Sequence, residues 1–445
     1  MANVIINDTN LTNIAQAIRS KNGTSTTYKV SEMASAITNL PTGGGSGSLE
    51  PTVLSGDLEM VNYQGRFDEF IQKNPTLFST ANVTNFEYGF SGSTLTRIPF
   101  SINFNGSQVA NGLTNAFSNM SNLEEMPEIH GGAYGGFNET FAYTSKLKVV
   151  EFADDLNVSG GRGYPMGNIF RNSGAEEIRG KMPPIAEGLT SNGVNNCGYM
   201  FAYCNHLRTI PYDFFSTVPN TSNITSSSSG AYAFLGCYSL RGAAPNIKFM
   251  ETGNKQMYYA TFSGCASLDR IINLPVYSQA LTSNGFTNCF ADCARLEQLT
   301  FERNEDGTPK TANWSNQTID LSVGVGYAPS TQIEDYILNY NSGITADKEI
   351  YYNSASSSPY SIYTQLKDDP DWYTLEVGFS RYDRKSAVET INSLPDVSSG
   401  SGNTIKFNQL AGNMKGSMSD ATDMSKLSSS EIAVATAKGW TVTLV

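Results

Sequence analysis

The sequence is poor in histidine and in charge, and each scarcity excludes a class of function. Only two of its 445 residues are histidine, His130 and His206, and only 16% are Asp, Glu, Lys or Arg. Hydrolytic triads and many metal sites need histidine, so enzymes built on them are disfavoured. Acidic residues outnumber basic ones by 41 to 29, which gives a net charge of −12. That sign of charge argues against nucleic acid or an anionic membrane as the main partner.

Long apolar runs and a secretion signal are also missing. No stretch approaches the roughly 20 apolar residues that a membrane-spanning helix needs. The first eight residues, MANVIIND, contain no basic region followed by an apolar core. We therefore expect no membrane insertion and no export by the classical secretory route.

Motifs for catalysis or metal binding are weak throughout. No Cys-x-x-Cys pair occurs, and the glycine-rich residues 43–48 lack the lysine of a phosphate-binding loop. Cys204 and His206 could form a nucleophile pair, and carboxylates that could hydrolyse a glycan occur at 124–125, 154–155 and 368–371. We expect a buried Cys204, an exposed His206 and solvated loop carboxylates instead. The sequence thus predicts no enzyme, no cofactor and no metal.

What the sequence does contain is a repeated unit, seen best in residues 200–211, MFAYCNHLRTIP. A phenylalanine opens each copy, and hydrophobic residues follow at regular offsets. The eight key phenylalanines are Phe90, Phe117, Phe141, Phe170, Phe201, Phe234, Phe262 and Phe290, separated by 27, 24, 29, 31, 33, 28 and 28 residues. Such a period predicts a solenoid, in which each coil buries its apolar face against its neighbours.

Positions within the copy have distinct chemistry. Four of the six cysteines stand three residues after a key phenylalanine: Cys204, Cys237, Cys265 and Cys293. We predict a column of buried free thiols there. Two residues after the phenylalanine, six of the eight copies carry Gly, Asn or Asp, which tolerate positive φ. The Leu-x-x-Ile segment predicts a short strand that pairs in parallel with its neighbours. The expected fold class is therefore α/β, a solenoid of short helices or turns and short strands.

Four segments are expected along the chain. Residues 1–40 predict a small helical module, 41–50 a Gly/Ser linker, 51–310 the solenoid with an N-terminal cap, and 311–445 divergent repeats with a C-terminal cap. The module is too short to bury much surface alone, so it must oligomerise or dock on a partner. Its docking candidates are Leu11, Ile14, Ile18, Met33 and Ile37.

The last segment predicts four further coils that continue the same sheet and seal its C-terminal end. The predicted helices are 332–338, 360–366, 386–391 and 432–437, and the predicted strands lie near 349–352, 372–377, 404–407 and 440–445. Ser428 and Glu431 have the spacing of a capping box. A helix over 66–71 is expected in the N-terminal cap.

The unit Phe201-x-x-Cys204-x-x-Leu207-x-x-Ile210-Pro211 resembles the leucine-rich repeat of the bacterial surface protein A-like (Treponema-type) family, over residues 88–300. The resemblance implies a leucine-rich-repeat solenoid and a role in adhesion. Residues 387–395 (AVETINSLP) and 433–440 (AVATAKGW) look like the closing segment of such proteins in bacteriophage tail genes. Residues 14–23 (IAQAIRSKNG) and 33–37 (MASAI) resemble a short module at the start of phage tail and baseplate proteins.

Aromatic residues supply the candidate ligand contacts. Tyr88, Tyr199 and Tyr232 stand two residues before a key phenylalanine, a position that Asn115, Asn168 and Asn288 share. In stacked coils these side chains would align as a column that stacks on sugars and bonds their hydroxyls. Alternatively, the column only pads the helical side of the coils. Further candidates between the repeats are Tyr134, Tyr164, Tyr258 and Tyr259.

The sequence therefore predicts a phage virion protein of the tail tip, baseplate or tail fibre, assembled in the host cytoplasm. Its expected partners are other virion proteins through residues 1–40, a host-surface glycan or protein, and further copies of itself. Three alternatives stay open: a capsid-attached fibre or decoration protein, a bacterial surface adhesin, and a glycan-degrading enzyme.

Overall fold

The computed structural model describes residues 52–57, 62–74, 78–104, 112–134, 136–160, 167–184, 198–217, 230–247, 258–277, 280–281, 285–293, 296–322, 350–353, 361–366, 372–376, 384–407 and 427–444, and also Gln16. The predicted module with Leu11, Ile14, Ile18, Met33 and Ile37, the linker 41–50 and the predicted helix 332–338 lie outside these residues.

The helices are α1 (Asp68–Lys73), α2 (Arg384–Ser393) and α3 (Ser429–Ala437), and a 3-10 turn spans Tyr63–Gly65. The strands are β1 (Thr52–Asp57), β2 (Phe78–Asn85), β3 (Ile102–Phe104), β4 (Ile129–Tyr134), β5 (Val149–Glu151), β6 (Asn157–Gly160), β7 (Glu177–Arg179), β8 (Gly242–Ala243), β9 (Leu268–Leu274), β10 (Gln298–Phe301), β11 (Thr318–Asp320), β12 (Ile350–Asn353), β13 (Ser361–Leu366), β14 (Trp372–Glu376), β15 (Asn403–Phe407) and β16 (Trp440–Leu444).

The eight key phenylalanines form one buried column. Each is at most 1% exposed. From Phe90 to Phe262, successive rings are stacked, with centroids 5.2 to 5.9 Å apart and planes within 15° of parallel. The residues around each key phenylalanine form consecutive turns. The repeated phenylalanine thus sets the spacing of eight stacked turns, and each turn is covered by its neighbours.

One regular set of backbone hydrogen bonds, around the key phenylalanines, joins the turns in a single direction, whereas elsewhere in the stack such bonds also run the opposite way, as from Gly174 N to Thr144 O. In each of the seven interfaces, the N–H groups two residues before the key phenylalanine, at it, and two residues after it donate to the next turn. Phe201 N, for example, donates to Ala233 O at 2.8 Å, and Tyr203 N donates to Leu235 O at 2.6 Å. Within a turn, other N–H groups donate to the carbonyl three residues earlier, as Cys204 N does to Phe201 O. The turns are therefore held by a regular ladder as well as by apolar burial.

This ladder needs left-handed backbone at two positions of every turn. All eight residues two after the key phenylalanine have positive φ, from +56° at Asn172 to +76° at Gly264, and they include Tyr143 and Tyr203. All eight residues two before it also have positive φ, from +50° at Ala260 to +63° at Tyr232. The first set was predicted for six copies, whereas the second was not. Asparagine is common at both positions because it adopts this conformation at little cost.

The opposite side of the turns carries short parallel strands. β5 pairs with β7, and β9 lies between β8 and β10, all in parallel as predicted. Single bridges at Glu125–Val149 and Glu177–Thr209 connect further turns. A second parallel set, β3–β4–β6, follows the next corner of the chain. Leu207 and Ile210 point into the core and are at most 8% exposed, as are their counterparts in five other turns, whereas Met126 and Ala243 of the two remaining turns are half-buried.

The N-terminal end of the stack is covered by residues before Phe90. α1 begins two residues later than the predicted 66–71. Its buried Asp68 accepts hydrogen bonds from Asn62, Ser93 and Thr94, and these bonds lower the pKa of its carboxyl against the effect of burial. Gln64 N donates to Ser91 O at 2.9 Å. The segment thus supplies a donor to a carbonyl of the first turn.

The C-terminal end differs from the prediction of four more coils in the same sheet. Helix α2 packs on β10 and bonds its edge through hydroxyls: Ser386 Oγ and Thr390 Oγ1 donate to Glu297 O and Leu299 O, at 2.5 and 2.7 Å. Phe301 N donates to Ser393 Oγ at 3.1 Å. These bonds use the edge groups that another strand would need, so the described sheet ends at β10.

Two separate sheets follow. β15 pairs in parallel with β11 and β16, so the predicted strands 404–407 and 440–445 exist but lie in a sheet of their own. β12, β13 and β14 form an antiparallel sheet. The predicted helix 360–366 is wrong, because Ser361–Leu366 is the central strand β13. Its β-branched and aromatic residues favour a strand once neighbours pair on both edges. The capping box of Ser428 and Glu431 is confirmed at the start of α3.

Candidate ligand-binding site

One side of the stack carries four side chains in a row, which we call the tyrosine ladder: Arg171, Tyr199, Tyr232 and Tyr259. The rings of Tyr199 and Tyr232 are stacked, with centroids 4.4 Å apart and planes 14° from parallel. Tyr259 meets Tyr232 at 5.2 Å with an interplanar angle of 61°. The guanidinium carbon of Arg171 lies 5.4 Å from the centre of the Tyr199 ring. The row thus crosses four successive turns of the stack.

The backbone ladder places these side chains. Tyr199 and Tyr232 have φ of +57° and +63°, and their N–H groups donate to Ala231 O and Tyr259 O of the following turns. Arg171 follows Phe170 directly, and its N–H donates to Asn168 O. All four side chains of the ladder are half-buried. A fixed backbone therefore positions them, which lowers the entropy that binding would cost.

The surroundings of Tyr232 keep its hydroxyl neutral. Burial, together with the neighbouring Tyr199 and Tyr259, raises the pKa of Tyr232 to about 12. At neutral pH the Tyr232 hydroxyl can both donate and accept a hydrogen bond. The surface combines aromatic faces, hydroxyls and one guanidinium. Such a surface can stack on a flat apolar face and bond polar groups at its edge.

Polar atoms at the start of the ladder lack hydrogen-bond partners. Asn168 Oδ1 and Arg171 Nε are both buried from solvent, and neither forms a hydrogen bond with the residues that the structure describes. Buried polar atoms are normally satisfied, so exceptions need an explanation. Asn168 belongs to the predicted column of Tyr and Asn, whereas Arg171 was not among the predicted contacts. The sequence signal for the contact between Arg171 and Tyr199 was an arginine directly after one key phenylalanine and a tyrosine two residues before the next key phenylalanine.

The other predicted contacts are dispersed. Tyr88 is half-buried with φ +56° and lies four turns before Tyr199, so it is not part of the ladder. The backbone of Tyr134 belongs to β4, and Tyr164 lies outside the described residues. The prediction that Tyr258 contacts a ligand is wrong. Tyr258 is fully buried, its hydroxyl donates to Pro275 O, and its ring stacks on Phe286 at 4.5 Å. As a core residue, Tyr258 cannot reach a ligand.

A second aromatic surface follows the other left-handed position. Tyr143 and Tyr203 are 42% and 37% exposed, among the most exposed large rings described. A side chain at Gly236 would meet the Tyr203 ring at 3.0 Å, and one at Gly264 would meet Tyr238 at 3.2 Å. The rings of Tyr203 and Tyr238 therefore lie against the glycine backbone of the following turn. The sequence signal was tyrosine at a position otherwise held by Gly, Asn or Asp.

The cysteines are structural. Among the described residues, Cys204, Cys237, Cys265 and Cys293 are free and buried, as predicted, and so is Cys289. Cys204 Sγ donates to Phe170 O at 3.0 Å, and Cys237, Cys265 and Cys293 donate in the same way to the key phenylalanine of the preceding turn. Burial raises the pKa of Cys204 to about 12, which is the reverse of what a nucleophile requires. His206 is half-buried rather than exposed, and burial lowers its pKa.

His130 belongs to a different place, an open groove of about 520 Å³ beside β4 and β5. Its Nδ1 lies 2.8 Å from Asp155 Oδ1, and its Nε2 lies 3.4 Å from Glu128 Oε1. The hydrogen bond to Asp155, with that to Glu128, raises the pKa of His130 against the effect of burial. The described residues contain no group of three His, Cys, Asp or Glu side chains suited to hold a metal ion.

No family model, curated protein or solved structure matches this chain. Among the described residues, no helix has both the length and the apolar character that crossing a bilayer requires.

Proposed function

We propose that this chain is a bacteriophage virion protein of the tail tip, baseplate or tail fibre, and that it recognises the host surface through a leucine-rich-repeat solenoid. The observation that carries the proposal is the tyrosine ladder. It presents aromatic faces, hydroxyls and a guanidinium in a row on one side of the stack. Carbohydrates and exposed protein loops are both recognised by surfaces of this kind.

The stacked turns support recognition by an extended surface. The buried phenylalanine column and the backbone ladder fix each turn against the next, so that neighbouring side chains keep a constant spacing. Little ordering is then needed when a ligand binds along several turns. A particle that displays several copies gains further strength, because each additional contact becomes intramolecular after the first.

Residues 1–40 are proposed to dock the protein on the particle, with Leu11, Ile14, Ile18, Met33 and Ile37 as the apolar contacts. The sequence pattern supports this role, because short helices need a partner to bury such a face. Homo-oligomerisation through the same residues would also multiply the recognition surface.

Competition for adsorption tests the recognition role. The purified full chain, added before phage, is expected to occupy host receptors and to lower the adsorption rate. A Tyr199→Ala, Tyr232→Ala double variant should compete less, whereas Tyr88→Ala, at the same repeat position outside the ladder, should compete like the wild type. Equal competition by all three proteins, or none by any of them, would contradict the proposal.

Deletion of residues 1–40 from the phage gene tests docking. Particles carrying the deletion should lack the protein, as measured by immunoblotting of purified virions. Antibody labelling in electron micrographs then distinguishes tail from capsid attachment. Normal incorporation of the shortened protein would exclude docking through residues 1–40.

A further inference from the structure

Arg171 is a cation whose partner is missing. Its guanidinium lies over the Tyr199 ring, and no ion pair joins it to a carboxylate of the described residues. Contact with an aromatic face offsets part of the cost of removing a guanidinium from water, but it satisfies none of the N–H donors. By contrast Arg208, another half-buried arginine of the stack, forms an ion pair with Glu176.

We propose that Arg171 and the three tyrosines of the ladder bind an acidic saccharide, a sugar chain whose charge is a carboxylate or a phosphate. This inference rests on the proposed function, since it names the ligand class of the same surface. Arg171 donates hydrogen bonds to the anionic group, in the geometry that guanidinium and carboxylate or phosphate share. The ring faces of Tyr199, Tyr232 and Tyr259 contact the apolar faces of successive sugar rings.

The surrounding charge sets the direction in which the ligand runs. Glu139 occupies the position of Asn168 one turn earlier and is half-buried. An anion is repelled from that side. Towards the C-terminus the ladder continues with Tyr232 and Tyr259. The Tyr232 hydroxyl stays neutral at physiological pH and therefore does not repel an anion. The acidic group therefore sits at Arg171, and the sugar chain extends towards Tyr259.

Titration calorimetry of the full chain tests the proposal with three oligosaccharides of equal length. One is an oligogalacturonate, which carries carboxylates, one is a phosphorylated mannan fragment, and one is a neutral galactan. We expect at least one acidic probe to bind at least tenfold more tightly than the neutral one. Arg171→Gln should weaken that binding by tenfold or more, as loss of a charged hydrogen bond predicts. The acidic probe that binds identifies the anion.

Matched variants separate the site from general effects of charge and folding. Arg270→Gln removes the same charge from an exposed arginine of β9 and should leave binding unchanged. Arg171→Lys should retain part of the affinity, because it keeps the charge but loses the planar fork. Tyr232→Phe should retain more affinity than Tyr232→Ala, and circular dichroism checks that every variant is folded.

Three results would overturn the inference: equal affinity of Arg171→Gln and wild type, equal affinity for neutral and acidic probes, or no binding of either acidic probe. The failure of the proposed function is a different result. If the wild type binds an acidic probe through Arg171 but does not compete for phage adsorption, the ligand assignment holds and the virion role does not.

Discussion

The phenylalanine column and the tyrosine ladder differ although both arise from the same stacking. The column position is phenylalanine in all eight turns and is buried in all of them. The position two residues earlier is equally constrained in backbone, with positive φ in all eight turns, but it holds Tyr, Asn, Glu or Ala. Where burial and conformation are both required, one residue type fits. Where only conformation is required, the side chain is free to vary, and a ligand can be recognised there.

The largest expected effect comes from breaking the column. Phe201→Ala should destabilise the protein by about 3 to 5 kcal/mol, because it removes a ring packed between Phe170 and Phe234 and leaves a cavity. Tyr232→Ala should cost about 1 kcal/mol, since it loses a partly solvated stacking contact. Urea unfolding followed by circular dichroism measures both. Similar midpoints for the two variants would show that column and ladder contribute alike.

Removing a thiol that lies next to the phenylalanine column should have the next largest effect on stability. Cys265→Ala removes a buried sulfur whose thiol donates to Phe234 O at 3.2 Å, and should cost about 1 to 2 kcal/mol. The raised pKa of Cys265 also predicts slow alkylation. Peptide mass spectrometry after iodoacetamide treatment should find the Cys265 peptide unmodified in native protein and modified in urea. Rapid labelling of native Cys265 would contradict its buried position.

The left-handed position two residues before the key phenylalanine can be tested in a turn for which no ligand is proposed. Asn288 is exposed and has φ +55°. Asn288→Ala should destabilise the protein by about 1 kcal/mol, because alanine adopts left-handed backbone at greater cost than asparagine. Asn288→Gly keeps this conformation accessible and should change stability by only a few tenths of a kcal/mol. If alanine is tolerated as well as glycine, conformation does not select the residue at this position.

The smallest effect is expected at His130, which lies in neither row. Its folded-state pKa is raised above the unfolded value of about 6.5, chiefly by the hydrogen bond to Asp155. Its contribution to stability is therefore full below about pH 6.5 and is lost as the pH rises through the raised folded-state value. For this exposed cluster it should be below about 1 kcal/mol. The stability lost by His130→Gln should be larger at pH 5.5 than at pH 8.5, whereas a pH-independent loss would exclude this role.

The sequence predicted the parts of the structure that repeat. Spacing identified the phenylalanine column and the thiols, and the Gly, Asn and Asp residues of six copies indicated the left-handed position two residues after the phenylalanine. The left-handed position two residues before was missed because Tyr and Glu occur there, and neither residue indicates positive φ. The contact between Arg171 and Tyr199 was missed for another reason. It depends on which side chains of adjacent turns meet, and the unequal lengths of the connecting segments hide that register.

Past Phe290 the repeat ends and prediction became weaker. The helix expected at 360–366 was wrong because a short segment rich in Tyr and Ile fits a helix or a strand, and its pairing with β12 and β14 is not local information. The role of α2 was also missed. Ser386, Thr390 and Ser393 lie on one helix face, and only the position of β10 shows that their hydroxyls bond a strand edge.

The one-directional hydrogen bonds between turns have an electrostatic consequence. Each of the three peptide groups that join a turn to the next points its N–H towards the C-terminal end and its carbonyl towards the N-terminal end. Their dipoles therefore add along the axis, as the peptide dipoles of an α-helix do, but with the positive end at the C-terminal side. The side of the stack that carries these bonds consequently has opposite polarity at its two ends. A group that covers the first turn on this side must donate hydrogen bonds, as Gln64 does.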